Sequence, residues 1–151
     1  MRFFLVDRIT SCPRGGPIEG VKSLAMSEDF LEYHFPGDPV MPGVLLLESL
    51  VQLAGWLVAH SSDFADWFLV DRVERCAFHG FVRPGDRVEL TVTPAGGDGG
   101  RRAFSGTGTL DGRRCLAAEF SGELVPLAEL EDPEAQRRHF AVLTRERSPK
   151  N

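Results

Sequence analysis

The sequence is poor in cysteine: of 151 residues only Cys12, Cys76 and Cys115 carry a thiol, and they are far apart. There is no CxxC pair, so neither a zinc site nor a disulfide framework is indicated, and free thiols in a reducing cytoplasm are expected. A surplus of positive charge is also missing. The net charge of −5 argues against general nucleic-acid binding, which needs a strong basic footprint, but leaves room for a local basic patch facing an acidic partner. A secretory leader is not expected, because the opening MRFFLVDRIT is broken by Asp7 and Arg8 and has no small-residue cleavage site. Nor is a membrane span. The apolar stretch from Val44 to Ala59 is interrupted by Glu48, Gln52 and Gly55 and falls short of the roughly 20 residues a span needs. With 42% hydrophobic and 26% charged residues, the chain reads as one soluble, cytoplasmic globular domain.

The pattern along the chain predicts an α+β architecture. Residues 3–9 (FFLVDRI) read as a strand, 13-PRGGP-17 as a turn, and IEGVKSLAM as a second strand. A loop from Ser27 to Met41 is stiffened by Pro36 and Pro39, and Pro42 suits the first turn of a helix that runs to about His60. The period then changes to two. WFLVDRVERCAF is one strand candidate, and DRVELTVT sets Val88, Leu90 and Val92 against Arg87, Glu89 and Thr91. RRAFSGTGTL and RRCLAAEFSGELV follow, joined by the hairpin signal Asp111-Gly112. Short turns favour antiparallel pairing, so one antiparallel sheet wrapped around a long central helix is the expected fold. It occupies residues 1–126. Residues 127–151 are a polar tail with a short surface helix from Pro133.

The central helix is apolar almost all round, which predicts burial on all sides. Its polar exceptions include Glu48 and Gln52, which are four residues apart and share a face. An unpaired buried carboxylate costs several kcal/mol. It must be paired, hydrated or kept protonated. No lysine or arginine lies between Lys22 and Arg72 to pair with it locally. A protonated or cavity-facing acid remains, and a protonated acid is what general-acid chemistry requires. His34 lies fourteen residues earlier in the proline-braced loop. That loop ends at a helix N-terminus, where free amides favour an anion, and Gly43 permits close approach to them. A base, an acid and an oxyanion site together suit proton removal beside a carbonyl with loss of a β-substituent. His60, His79 and His139 are weaker candidates.

The run 34-HFPGDPVMPGVL-45, followed by Leu47-Glu48 and Gln52, resembles the signature of the 3-hydroxyacyl-acyl-carrier-protein dehydratases, hotdog-fold enzymes of fatty-acid synthesis. LVDRI near the start, Ala77-Phe78 and 84-PGD-86 resemble other parts of that family. The resemblance implies that His34 takes the C2 proton of the acyl thioester and Glu48 protonates the departing 3-hydroxyl. It implies a thioester oxygen held by the Gly43 N–H, a ring oriented by the Val40 carbonyl, and Glu48 held by Gln52. An apolar tunnel would be lined by Phe35, Pro36, Met41, Val44 and Phe81. The partners implied are acyl-carrier protein and a second copy of the chain, as a homodimer or an oligomer of dimers. Histidine and acid would come from different subunits, with no metal or organic cofactor. Tyr33 stands where the family commonly has glycine, and Phe81 where it often has proline. Asp38 resembles a sister branch that also isomerises the double bond, but Glu48 favours plain dehydration. Two other classes share the fold: acyl-thioester hydrolases and non-catalytic acyl-binding subunits.

Overall fold

A computed structural model describes residues 3–146. Six strands form one antiparallel sheet: β1 (Arg8–Ser11), β2 (Ile18–Ser23), β3 (Asp66–Phe78), β4 (Arg87–Gly96), β5 (Arg101–Leu110) and β6 (Arg113–Pro126). They lie in the order β1-β2-β4-β5-β6-β3. Helix α1 (Gly43–Ser61) is wrapped by the sheet, and α2 (Pro133–Thr144) follows the last strand.

The alternation read in β4 is realised: Val88, Leu90 and Val92 point inward and are buried with α1 residues Leu50, Leu53 and Ala54. Helix and sheet approach closely because glycine faces leucine side chains of the helix. A Cβ on Gly106 of β5 would lie 2.9 Å from Leu50, and one on Gly20 of β2 would lie 3.0 Å from Leu53. At the β5–β6 hairpin, Asp111 and Gly112 both take positive φ (50° and 76°), as a tight two-residue turn requires.

Two expectations need correction. The first strand begins at Arg8, not Phe3. Residues 3–5 are held instead by a side chain of the helix: Leu5 N–H donates to Gln52 Oε1 (3.0 Å) and Gln52 Nε2 donates to the Phe3 carbonyl (3.0 Å). The helix side chain stands in for a neighbouring strand. The second concerns α1, which is not enclosed on every side. Ten of its nineteen residues are buried, but Val44 is 66% exposed and Leu45 and Leu47 are half-buried. By length and composition α1 would pass as a membrane span, yet its inner face is the core of this sheet.

The helix expected from Pro133 forms, but it is more than surface decoration. Asp132 caps it, accepting from Glu134 N–H (3.1 Å), and Pro133 opens it. Phe140 and Leu143 are buried and belong to the main core. Phe140 stacks on His60 (4.9 Å) and meets Phe64 edge-on (5.6 Å), while Arg137 pairs with Asp63 (2.9 Å) across the end of α1.

The pattern gave no warning of Lys22, which is 2% exposed. Its ammonium lies 2.7 Å from Glu28 and 3.3 Å from Asp7, and Asp7 also accepts from Ser23 N–H (2.7 Å). This cation ties the opening segment, β2 and the start of the His34 loop together. The three cysteines are free, and burial pushes the Cys12 thiol up to about 11.

Because Phe140 is buried, Phe140→Ala is expected to cost about 3–5 kcal/mol of unfolding free energy. Urea denaturation followed by circular dichroism measures it. A loss below about 1 kcal/mol would mean that α2 is not part of the cooperative fold.

Candidate active site

His34 sits at the start of a loop closed on itself. Val40 N–H donates to the His34 carbonyl (2.9 Å), and His34 Nδ1 lies 2.9 Å from the Val40 carbonyl. A carbonyl only accepts, so Nδ1 carries the hydrogen, and in the neutral ring Nε2 is then the acceptor. The Phe35 ring stacks on the imidazole, with centroids 4.1 Å apart. Two further ties brace the loop against the segment after β3: Met41 N–H donates to the Val82 carbonyl (2.8 Å), and Asp38 pairs with Arg83. Arg83 is thereby engaged locally.

The imidazole borders an apolar cavity of about 580 Å³. Phe35, Val40, Met41, Gly43, Val44 and Phe81 gather there with it. Pro36 does not: it turns to the other side of the loop, into a groove shared with Leu31 and Pro39. A proline two residues after the histidine lies inside the turn at Phe35–Asp38, which reverses the chain. Gly43 begins α1, so its N–H has no partner within the helix. A Cβ at position 43 would come within 2.8 Å of the Phe78 ring, so glycine keeps that ring against the helix N-terminus. Val44, Phe78 and Phe81 are all exposed in the single chain, an apolar patch of the kind that marks an interaction surface.

Glu48 lies elsewhere. It is half-buried and borders a second cavity, of about 280 Å³, with Gln52, Trp56, Trp67 and residues of α2. Gln52 Nε2 donates to Glu48 Oε1 (3.1 Å). With the bonds to Phe3 and Leu5, the one carboxamide holds three groups. Among the described residues, no hydrogen bond or shared cavity joins His34 to Glu48 within one chain. Among the described residues the long strand β3 forms one edge of the sheet and pairs only with β6.

A family model for a FabA-like domain matches residues 1–119. The chain belongs to this family. Among curated relatives, the 3-hydroxyacyl-[acyl-carrier-protein] dehydratase FabZ of Nitratidesulfovibrio vulgaris is 47% identical over 91 residues, covering 58% of this chain and 59% of that protein. FabZ of Aliarcobacter butzleri is 35% identical over 127 residues, covering 80% of this chain and 86% of the relative. Solved structures bear out the hotdog fold. A hot-dog-like protein from Thermanaerovibrio acidaminovorans superposes with a TM-score of 0.63 at 20% identity, covering 83% of this chain and 93% of that one. A Streptococcus mutans protein bound to acetyl CoA gives 0.65 at 14% identity, covering 83% and 94%. The dehydratase heterocomplex ApeI:P of Xenorhabdus doucetiae gives 0.57 at 20% identity, covering 74% and 89%.

Several residues at these two cavities were not read from the sequence as site residues. Trp56 continues the line of Glu48 and Gln52 at the next i,i+4 step, so helical periodicity alone would have found it. Trp67 carried no such signal, while Phe78 was read only as part of the family resemblance and His139 only as a weaker candidate, because β3 and α2 reach the cavities through tertiary packing. Since Gln52 satisfies three partners, Gln52→Leu is expected to destabilise the fold by about 1–3 kcal/mol, the cost of stranding buried polar groups. Chemical denaturation measures it, and a neutral substitution would show that water replaces the carboxamide.

Proposed function

We propose that the chain dehydrates a 3-hydroxyacyl thioester carried on acyl-carrier protein to the trans-2-enoyl thioester, within fatty-acid synthesis in the cytoplasm. The active form is a homodimer in which His34 of one subunit works with Glu48 of the other. One observation carries this reading: each chain offers a histidine oriented through Nδ1 in one cavity and a tethered carboxyl in another, so each protomer holds half of two sites. Two further features fit assembly. The outer edge of β3, a strand of thirteen residues, is a template for pairing, and the His34 cavity is rimmed by exposed apolar side chains.

The steps follow from the groups present. His34 Nε2 removes a proton from C2, and the electron pair moves toward the thioester carbonyl. The developing negative charge on that oxygen meets the Gly43 N–H at the positive end of α1. The pair then returns to form the C2–C3 double bond as the C3–O bond breaks, and the Glu48 carboxyl of the partner subunit supplies the proton that makes the leaving group water. The imidazolium and the carboxylate are then reset by proton exchange. Family membership and the named activity of the FabZ relatives support this chemistry.

The test offers a 3-hydroxyacyl thioester and follows both enoyl absorbance and free thiol. Enoyl product without thiol is expected; thiol release would instead indicate hydrolysis. His34→Ala and Glu48→Gln should each lower kcat/KM by about 10²–10⁴-fold while the dimer stays folded. Refolding the two variants together in equal amounts should restore roughly a quarter of wild-type activity, because half of the symmetric dimers become mixed and each mixed dimer has one intact site. A mixture as inactive as its components would overturn the shared-site arrangement.

A further inference from the structure

The cavity beside Glu48 is not closed by the family-matched residues alone. The family match ends at residue 119, yet Gln136, His139 and Leu143 of α2 line this cavity, together with Leu127 and Leu130 just before the helix. The position of α2 follows from one face of α1. Residues 48, 52, 56 and 60 are spaced i,i+4 and lie in a row. Gln52 bonds Glu48, the Trp56 ring meets His139 edge-on at 5.2 Å, and His60 stacks on Phe140 at 4.9 Å. From Glu48 to Trp56 the row runs roughly 12 Å along the axis, at about 1.5 Å per residue. The carboxyl therefore stands at one point of the row, and the ring of His139, brought by α2, stands about two turns further on. Between them one wall is aromatic, with Gln136 and Glu131 also at the cavity: Trp56 and Trp67 meet edge-on at 5.2 Å, and Phe4 meets His139 at 5.1 Å. Gly55 makes the Trp67 wall possible, since a Cβ there would lie 2.4 Å from the Trp67 ring.

We propose that this cavity receives the distal part of the acyl tail and that α2, through His139, forms its end wall and so limits chain length. The identity of the occupant rests on the dehydratase reading above. The physical argument is one of fit. The space of about 280 Å³ lies just below the range of small-ligand pockets, ~300 to ~1,000 Å³, which suits part of a tail rather than a whole ligand. Each methylene that enters an apolar wall gains about fourfold in affinity. A methylene that meets a packed ring gains nothing and must displace it. The position of the end wall therefore selects length, and that wall belongs to the segment outside the family match.

The chain carries two tryptophans, Trp56 and Trp67, and both line the cavity, so their emission reports an occupant whether or not turnover occurs. The wild-type protein is titrated with 3-hydroxyacyl-pantetheine thioesters of increasing length. Emission is expected to change progressively with length and then stop changing once the tail reaches α2. His139→Ala should raise the ratio of kcat/KM for long over short substrates by about tenfold, and Gln136→Phe, which adds bulk from the same helix, should lower it by a similar factor. Emission that is constant across the series overturns the proposal, as do ratios that fail to move in opposite directions. If either variant does not fold, the wild-type titration decides alone. Active protein with unresponsive tryptophans removes the tail site and leaves the dehydratase reading standing. Responsive tryptophans in a protein that forms no enoyl product do the reverse.

Discussion

A carboxyl group on a helix built to pack against a sheet must be held by something, and here it is held by the Gln52 carboxamide. That group donates to Glu48 and to the Phe3 carbonyl and accepts from Leu5 N–H. It thereby aims the acid into a cavity and pins the opening segment of the chain to the helix. Amide and carboxyl are one helical turn apart, so the hydrogen bond between them needs no rearrangement of the backbone. The apolar remainder of α1 supplies the burial that holds the turn rigid.

The histidine side follows a different logic. Its ring is oriented by backbone rather than by a side chain, through a loop in which residues 34 and 40 bond each other twice. The loop is anchored at a distance. Lys22 gathers Asp7 and Glu28 where the segment leading to the loop begins, and Arg83 and Val82 hold its far side. A buried ammonium is costly unless its partners are close, and these lie at 2.7 and 3.3 Å. One partner sits before β2 and the other after it, which makes this ion pair a clamp between segments distant in sequence.

Much of this could be read directly. The alternation of Val88, Leu90 and Val92, the Asp111-Gly112 turn and the extent of α1 all depend on neighbours in sequence, and local rules describe such neighbours well. The same rules misjudged residues 3–7. Their apolar run looks like a strand, but the partner that accepts from Leu5 and donates to Phe3 is a helix side chain 47 and 49 residues away. They also undervalued the tail. α2 is polar on average, and only two inward residues, Phe140 and Leu143, reveal that it docks.

The sequence by itself determined the motif run from His34 to Gln52, the buried central helix and the antiparallel sheet, because each follows from residue spacing within a few turns or strand pairs. Only the tertiary structure decided that His34 and Glu48 face separate cavities in one chain, that Pro36 turns away, and that α2 joins the Glu48 wall. These depend on the direction in which distant elements meet. Side-chain direction is set by packing across the core, which no periodicity within a single segment encodes.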